Sequence, residues 1–564
     1  MAFENYTYVR PDLADLQEKF DLALRRFKIA GSASEQCEAI NEINQLRNNV
    51  DTMYNLVSIR HSIDTNDEFY KQEQDYMDEL LPEIEGLVTK YYEALTSSKF
   101  RRELEEKWGQ QLFALAEGQL KTFIPEIVPL LQKENRLVTE YTKLIASAKI
   151  EFEGEERTLA QLEPFAQSTD REMRKRANEA KFGFLAEHEA ELDSIYDDLV
   201  RVRTDIARKL GFKNFVELGY YRMMRTDYDA EMVASFRSQV EQIIVPITTK
   251  LKERQRERLG LDTLKYYDEA FMFQTGNPMP KGSPEWIIEN GKKMYEELSK
   301  ETGEFFSFMQ EHNLMDLVAK KGKASGGYCT FIENYKAPFI FSNFNGTSGD
   351  ITVLTHEAGH AFQVYLSRHF EIPEYYWPTY EACEIHSMSM EFFSWPWMEL
   401  FFKEETDKFK FLHLSDCLLF LPYGVSVDEF QHWVYENPDA TPKERKLKWR
   451  EIEKKYLPHK DYDGNDYLEN GGFWQRQGHI YNSPFYYIDY TLAQICAFQF
   501  WKRSREDRKT AWADYVKLCK LGGSMSFTKL VAAANLISPF ENGCVESVAG
   551  EIEQWLNSID DKNL

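Results

Sequence analysis

The feature that most constrains this chain is an apolar spacing of three and four residues, sustained over much of its 564 positions. Leu13, Leu16, Phe20, Leu24 and Phe27 fall on one helical stripe, the mark of an amphipathic helix. Charged residues fill the gaps, so such helices must pack on one another. Pro82 and Pro125 are expected to start or break helices. No fixed repeat period is visible, which argues against a solenoid. Ile150 and Phe152 alternate with charges ahead of Gly154, a short strand and turn. We place a boundary there: an N-terminal helical lobe over 1–150, and a second region over 151–564. Helical patterning resumes over 158–260. The loop TGNPMPKGSP (275–284) then leads into a helix with Ser283 as its cap and Pro284 as its first residue.

One later segment reads differently. KGKASGG is a loop, and YCTFIENYKAPFIFSNF (328–344) mixes β-branched and aromatic residues as strands do. NGTSG (345–349) is a turn, and helix is expected from Asp350. From about 375 to 545 the pattern is helical again, apart from a polar loop at 456–472. The expected fold class is mainly α, with one small sheet.

Lys and Arg total 68 against 93 Asp and Glu, a formal charge of -25. A general nucleic-acid or anionic-membrane binder needs the opposite field. Seven cysteines without a C-x-x-C pair point to reduced, mostly buried thiols rather than a disulfide framework. The N-terminal residues lack the pattern of a signal peptide, and the apolar runs fall far short of the ~20 residues that span a bilayer. A cytoplasmic location is expected.

THEAGHAF places His356, Glu357 and His360 in the pattern H-E-x-x-H. On a helix, positions 356 and 360 lie one turn apart on one face, so their imidazoles can converge on one ion. Imidazole suits zinc, and Glu357, about 100° round the helix, can take a proton from a water at that ion. Eight of the eleven histidines fall between 356 and 479. A catalytic zinc needs a third protein ligand, and Glu381, Glu384 and Glu391 in TYEACEIHSMSMEFF share a helix face downstream. Spacing in the thermolysin manner favours Glu381.

THEAGHAF followed by EACEIHSMSME resembles the thimet oligopeptidase and oligoendopeptidase F family of zinc peptidases, most nearly the shorter oligoendopeptidase F branch. The resemblance covers roughly residues 150–550. It implies Glu384 as third ligand, with Glu381 and Glu391 orienting the imidazoles, and one Zn²⁺ per chain. GHIYNSPFYYIDYTLA (478–493) resembles the family's catalytic segment. It implies His479, Tyr487 and Tyr490 as donors to the oxyanion, with Tyr486 competing for one of those places or contacting substrate. APFIFSNFNGTSG is similar to the family's substrate-pairing edge strand, which implicates Phe341, Asn343 and Gly346 in binding peptide backbone. The implied fold is a neurolysin-like helical ellipsoid with a deep central channel and its small sheet beside the zinc-binding helix. The implied activity is cleavage of internal bonds in short unfolded peptides, with Glu357 as general base, and with neither nucleic acid nor membrane as partner. A second reading of the same residues is a catalytically inert peptide-binding helical protein with a structural zinc site. A third keeps zinc hydrolysis and replaces the peptide by another amide. DYDGNDYLE (461–469) alternates acids like a calcium loop, but its glycine is misplaced and Gly472 stands where the bidentate Glu belongs.

Overall fold

In the computed structural model, which describes residues 1–320, 322–324 and 326–564, the chain is mainly α with two small sheets. The first three long helices are α1 (Leu13–Ile29), α2 (Ala33–Ile63) and α3 (Glu68–Thr96). Asp12 caps α1 by accepting from the amide of Asp15, and the stripe Leu16, Phe20, Leu24 and Phe27 is buried. These residues join Ile43, Leu104 and Phe113 in a core of their own, which also takes in Ile372 and Tyr375 from far along the chain. The remaining core is larger and runs through most of the later helices.

Pro82 does not end a helix: α3 continues through position 82. One missing amide bond is outweighed by packing along α3, where Met77, Leu80, Leu87 and Leu95 are all buried. Pro125 behaves as expected, opening a short 3-10 turn ahead of the helix Val128–Ala146. Ser283 caps the helix Pro284–Leu298. Of the KGKASGG segment, positions 321 and 325 lie outside the described residues.

The expected strand and turn at 150–154 are present, and a second strand completes a hairpin: β1 (Ile150–Phe152) pairs antiparallel with β2 (Glu155–Arg157), a sheet additional to the one expected. The second sheet has three strands: β3 (Met315–Val318), β4 (Tyr328–Ile332) and β5 (Ala337–Phe344). Their order is β3-β5-β4, with β5 parallel to β3 and antiparallel to β4. This corrects one expectation. The strand before the motif is the centre of the sheet, not its edge, because an unanticipated strand occupies its other side. Phe341 stands opposite Asp316 on β3 and Tyr328 on β4, so a substrate cannot pair with β5 there. A strand covered on both sides reads as a continuous apolar run, which is what APFIF is.

A tight turn leads from β5 into α4 (Gly349–Ser367). Asp350 fixes it by accepting from the amides of Asn345 at 2.9 Å and Gly346 at 2.8 Å. Three further helices build the site: α5 (Tyr380–Phe393), α6 (Thr406–Glu436) and α7 (Tyr487–Leu521), the last bent at Asp507. Helix α5 packs against both α4 and α7. The two helices α4 and α5 lie very close at Gly359, where an added Cβ would lie 2.6 Å from the Cα of Ser387. That glycine lets the two backbones meet within reach of each other's short side chains.

Candidate active site

Helix α4 presents His356 and His360 one turn apart, their rings 5.1 Å from centre to centre. Across the Gly359 contact, α5 brings Glu384 beside both. Its Oε2 lies 3.3 Å from His356 Nε2 and 3.5 Å from His360 Nε2. The three side chains form a group whose ligand atoms lie within 4.8 Å of one another. Ser387 Oγ donates to Glu384 Oε2 at 2.9 Å, and Tyr486 donates its phenol proton to Oε1 at 3.1 Å. Both oxygens of Glu384 are therefore held in place.

Tautomers give this geometry chemical content. His356 Nδ1 lies 2.7 Å from Glu391 Oε1, and an ionised carboxylate can only accept, so Nδ1 carries the proton. In neutral His356 the lone pair of Nε2 then points at another acceptor, Glu384 Oε2. His360 Nε2 faces the same oxygen. Two imidazole nitrogens and a carboxylate crowd together, and such a donor set calls for a positive charge between its members. The field agrees: burial opposes charge on His356, but Glu384 and Glu391 raise its pKa well above the usual histidine range. Burial likewise opposes charge on Glu384, yet His360 and His356 hold its pKa well below the ordinary value.

Glu357 is not one of the three converging groups but lies in the field of both histidines. Its carboxylate is buried, its Oε2 has no hydrogen-bond partner, and burial raises its pKa. His479 approaches from the short helix Gly478–Asn482, and burial lowers its pKa. Gln477 donates its amide to His479 Nδ1 at 2.8 Å, while its own Oε1 accepts from Tyr423 at 2.8 Å. That pair leaves the proton of neutral His479 on Nε2. The ring of Tyr487 lies 5.0 Å from that of His479, and Tyr490's lies 5.8 Å away. Together with Glu391, Met388, Leu412 and Phe420, these three residues wall a cavity of about 550 Å³.

Peptidase M3 domain models match the chain in two places, the M3 N-terminal domain over residues 3–123 and peptidase family M3 over residues 292–549. A solved structure of PZ peptidase A with an inhibitor is 72% identical, with a TM-score of 0.95, covering 99% of this chain and all of that one. The chain belongs to peptidase family M3. A crystal structure from Bacillus anthracis, described as an oligoendopeptidase F, is 64% identical with a TM-score of 0.92, covering 100% of this chain and 99% of that one. The oligoendopeptidase F homolog of Borreliella burgdorferi is 26% identical over 70% of this chain and 69% of its own.

Within this M3 peptidase, two sequence-based expectations need correction. Glu381 does not orient the imidazoles: both of its oxygens are buried without a hydrogen-bond partner. Burial and the neighbouring Asp489 on α7 push its pKa up to about 8, opposed by Arg225. Three groups implicated in substrate binding are also already engaged within the chain. Phe341 is paired as described, Gly346 gives its amide to Asp350, and the Asn343 side chain donates to the carbonyls of Ala324 and Gly326 at 2.8 Å. Glu391 does meet His356, and a further residue stands behind it. His413 Nε2 lies 2.7 Å from Glu391 Oε2, and Trp395 donates its indole proton to His413 Nδ1 at 3.1 Å. That indole fixes neutral His413 with its proton on Nε2, donating to Glu391. Only the histidine enrichment of this region hinted at His413, and nothing in the sequence marked Trp395 or Gln477.

Proposed function

We propose that this M3 peptidase is a zinc-dependent oligoendopeptidase acting on internal bonds of short unfolded peptides. His356, His360 and Glu384 would be the ligands of one Zn²⁺. The observation that supports this most directly is the convergence of two imidazole nitrogens and a carboxylate oxygen, all within 4.8 Å of one another. Two imidazoles and a carboxylate form a catalytic zinc donor set that leaves a coordination position free. Zinc bound there supplies Lewis-acid polarisation of the scissile carbonyl.

The chain's own groups do the rest. Glu357, buried with a free oxygen, takes a proton from the attacking water and returns it to the leaving amine. His479, held as the Nε2–H tautomer, donates to the developing oxyanion, with Tyr487 and Tyr490 as the accompanying phenols. Tyr486, bonded to Glu384, steadies that carboxylate rather than the substrate. Glu391 holds the His356 ring. We also keep the division into a helical lobe (1–150) and a catalytic region (151–564). A cytoplasmic location is consistent with seven unpaired cysteines and with the lack, among the described residues, of any helix long and apolar enough to cross a membrane.

The test is Glu357→Gln. Cleavage of a mixed peptide digest, read by mass spectrometry, should fall by about 10²–10⁴-fold, while zinc content by metal analysis stays near one per chain. Retained cleavage in that variant would sink the mechanism. Stoichiometric zinc with no turnover by the wild type would instead favour an inert peptide-binding protein.

A further inference from the structure

Helix α6 turns one face to the space beside His479. Phe409, Leu412, Asp416 and Phe420 follow one another at steps of three and four residues. All four line the cavity of about 550 Å³ that His479, Tyr487 and Tyr490 also wall. Val353, three residues before His356 on α4, and Met388 on α5 add to the lining. These walls are mainly apolar. Glu391, the other carboxylate there, is taken by His356 and His413. Asp416 is the charged group that the site described so far does not use.

Among the described residues Asp416 makes neither a hydrogen bond nor an ion pair, and its side chain is exposed. The two basic groups whose field reaches it are engaged elsewhere. Lys252 gives its ammonium to Gln255 Oε1 at 3.0 Å, and His413 Nε2 bonds Glu391 Oε2 at 2.7 Å. Among the described residues no Lys or Arg lines the cavity. An acid on an outer surface needs no partner, because bulk water solvates it. Asp416 differs: the protein around it pushes its carboxyl up to about 6, against Lys252 and His413. It is ionised at neutral pH yet poorly hydrated, so a cation entering the cavity gains more from it than from a surface acid.

We propose that Asp416 receives the charged end of a Lys or Arg side chain next to the scissile bond of the bound peptide, its aliphatic stem lying along Phe409, Leu412 and Phe420. This rests on the peptidase reading above, in which His479, Tyr487 and Tyr490 meet the carbonyl of that bond. A residue flanking the bond then has the cavity they wall within reach. Lys and Arg join a long apolar stem to a charged tip, which matches an apolar cavity carrying one unengaged carboxylate. Phe409 and Phe420 add aromatic faces for the cation. A peptide's free amino terminus offers the same charge without the stem, so the apolar lining favours the side chain.

The experiment uses the zinc-loaded full chain and peptides of one sequence blocked at both ends, the cleaved bond being located by mass spectrometry. Norleucine, an uncharged stem, stands on one side of that bond and then on the other, and Lys or Arg replaces it in turn. Because a chain of formal charge -25 attracts any cationic peptide, one control carries its Lys four residues away. A second control keeps norleucine and frees the amino terminus. The quantity read is the ratio of kcat/KM, cationic peptide to norleucine parent, within each enzyme. In the wild type it should be on the order of tenfold at one flanking position and near one for the distant Lys. Asp416→Asn should bring it to one, Asp416→Glu should keep part of it, and Asp416→Lys should make a Glu peptide better than its Gln counterpart. A ratio of one at both flanking positions, a ratio that survives Asp416→Asn, or an equal gain from the distant Lys overturns the proposal. A gain confined to the free amino terminus overturns it too, by moving the recognised cation off the side chain. Failure of the wild type to cleave any of the peptides is a different result, and it removes the peptidase reading beneath the proposal.

Discussion

Glu391 can fix only one tautomer of His356, and Glu391 is itself fixed by a histidine 22 residues further along the chain. The line Trp395, His413, Glu391, His356 runs through buried or half-buried groups at 3.1, 2.7 and 2.7 Å. Outer partners of this kind set the orientation and basicity of a ligating imidazole. Replacing His413 by Leu strands a buried carboxylate oxygen and should weaken zinc retention by about 10–100-fold, measured by competition with a chelator. His413→Gln restores a donor and should recover part of the loss. Trp395→Phe, which removes only the indole proton, should fall between. Unchanged zinc affinity in all three would show the line to be packing alone. Why some of this was legible and some not follows from distance along the chain. His356, Glu357 and His360 sit within one turn, so their spacing alone sets their geometry. Glu384 took a family resemblance, because three glutamates competed for its place. At 100° per residue, Glu391 lies about 20° from Glu384 around α5 while Glu381 lies about 60° away. Sharing a face was therefore too coarse a criterion, and Glu381 turns toward Asp489 and Arg225. His413 and Gln477 act through contacts that no local pattern encodes.

Between elements, the decisive contact is α4 on α5 at Gly359. A Cβ there would meet Ser387 Cα at 2.6 Å, His386 O at 2.7 Å and Met390 Cβ at 3.0 Å. Two of these are backbone atoms, which cannot swing aside as a side-chain tip does. Gly359→Ala should therefore push the helices apart, destabilising the chain by about 1–3 kcal/mol and drawing Glu384 away from the imidazoles. Both effects are measurable: a lower Tm, and faster zinc loss to a chelator than an equally destabilising change far from the site. A variant with wild-type stability and zinc retention would contradict the close approach. The glycine itself was visible inside H-E-x-G-H, but what it faces was not. The sheet teaches the same lesson. The apolar run of β5 was readable as a strand, whereas β3, four residues mixing Met315, Asp316, Leu317 and Val318, is too short for its alternation to stand out. Missing β3 turned a central strand into an apparent edge.

Across the whole molecule, the N-terminal helices grip the sheet that feeds the catalytic helix. On α2, Asn55 donates to the carbonyl of Phe331 at 2.8 Å, and Thr52 Oγ1 accepts from the amide of Asn334 at 3.0 Å. Arg47 of α2 and Tyr92 of α3 both reach Glu374, at 2.7 and 2.6 Å. Two acids are caught in this junction. Burial and the nearby Asp51 push Glu333 up to about 8, against hydrogen bonds from Asn55 and Thr52. Burial pushes Asp51 up to about 6, opposed by Arg47 and reinforced by Glu374. An acid whose pKa is raised by folding favours the folded state while protonated. Its contribution is complete below the unfolded value of 4.5 for Glu333, and it is lost as pH rises through about 8. The junction should therefore loosen on the alkaline side. Tm measured from pH 6 to 9 should decline, and Glu333→Gln, which keeps the shape and removes the ionisation, should flatten that decline. Because β4 and β5 lead straight into α4, amide exchange in α2 and β4 should quicken over the same pH range in the wild type and less in the variant. An identical pH slope in both proteins would mean that the two acids do not govern how the N-terminal helices hold the sheet.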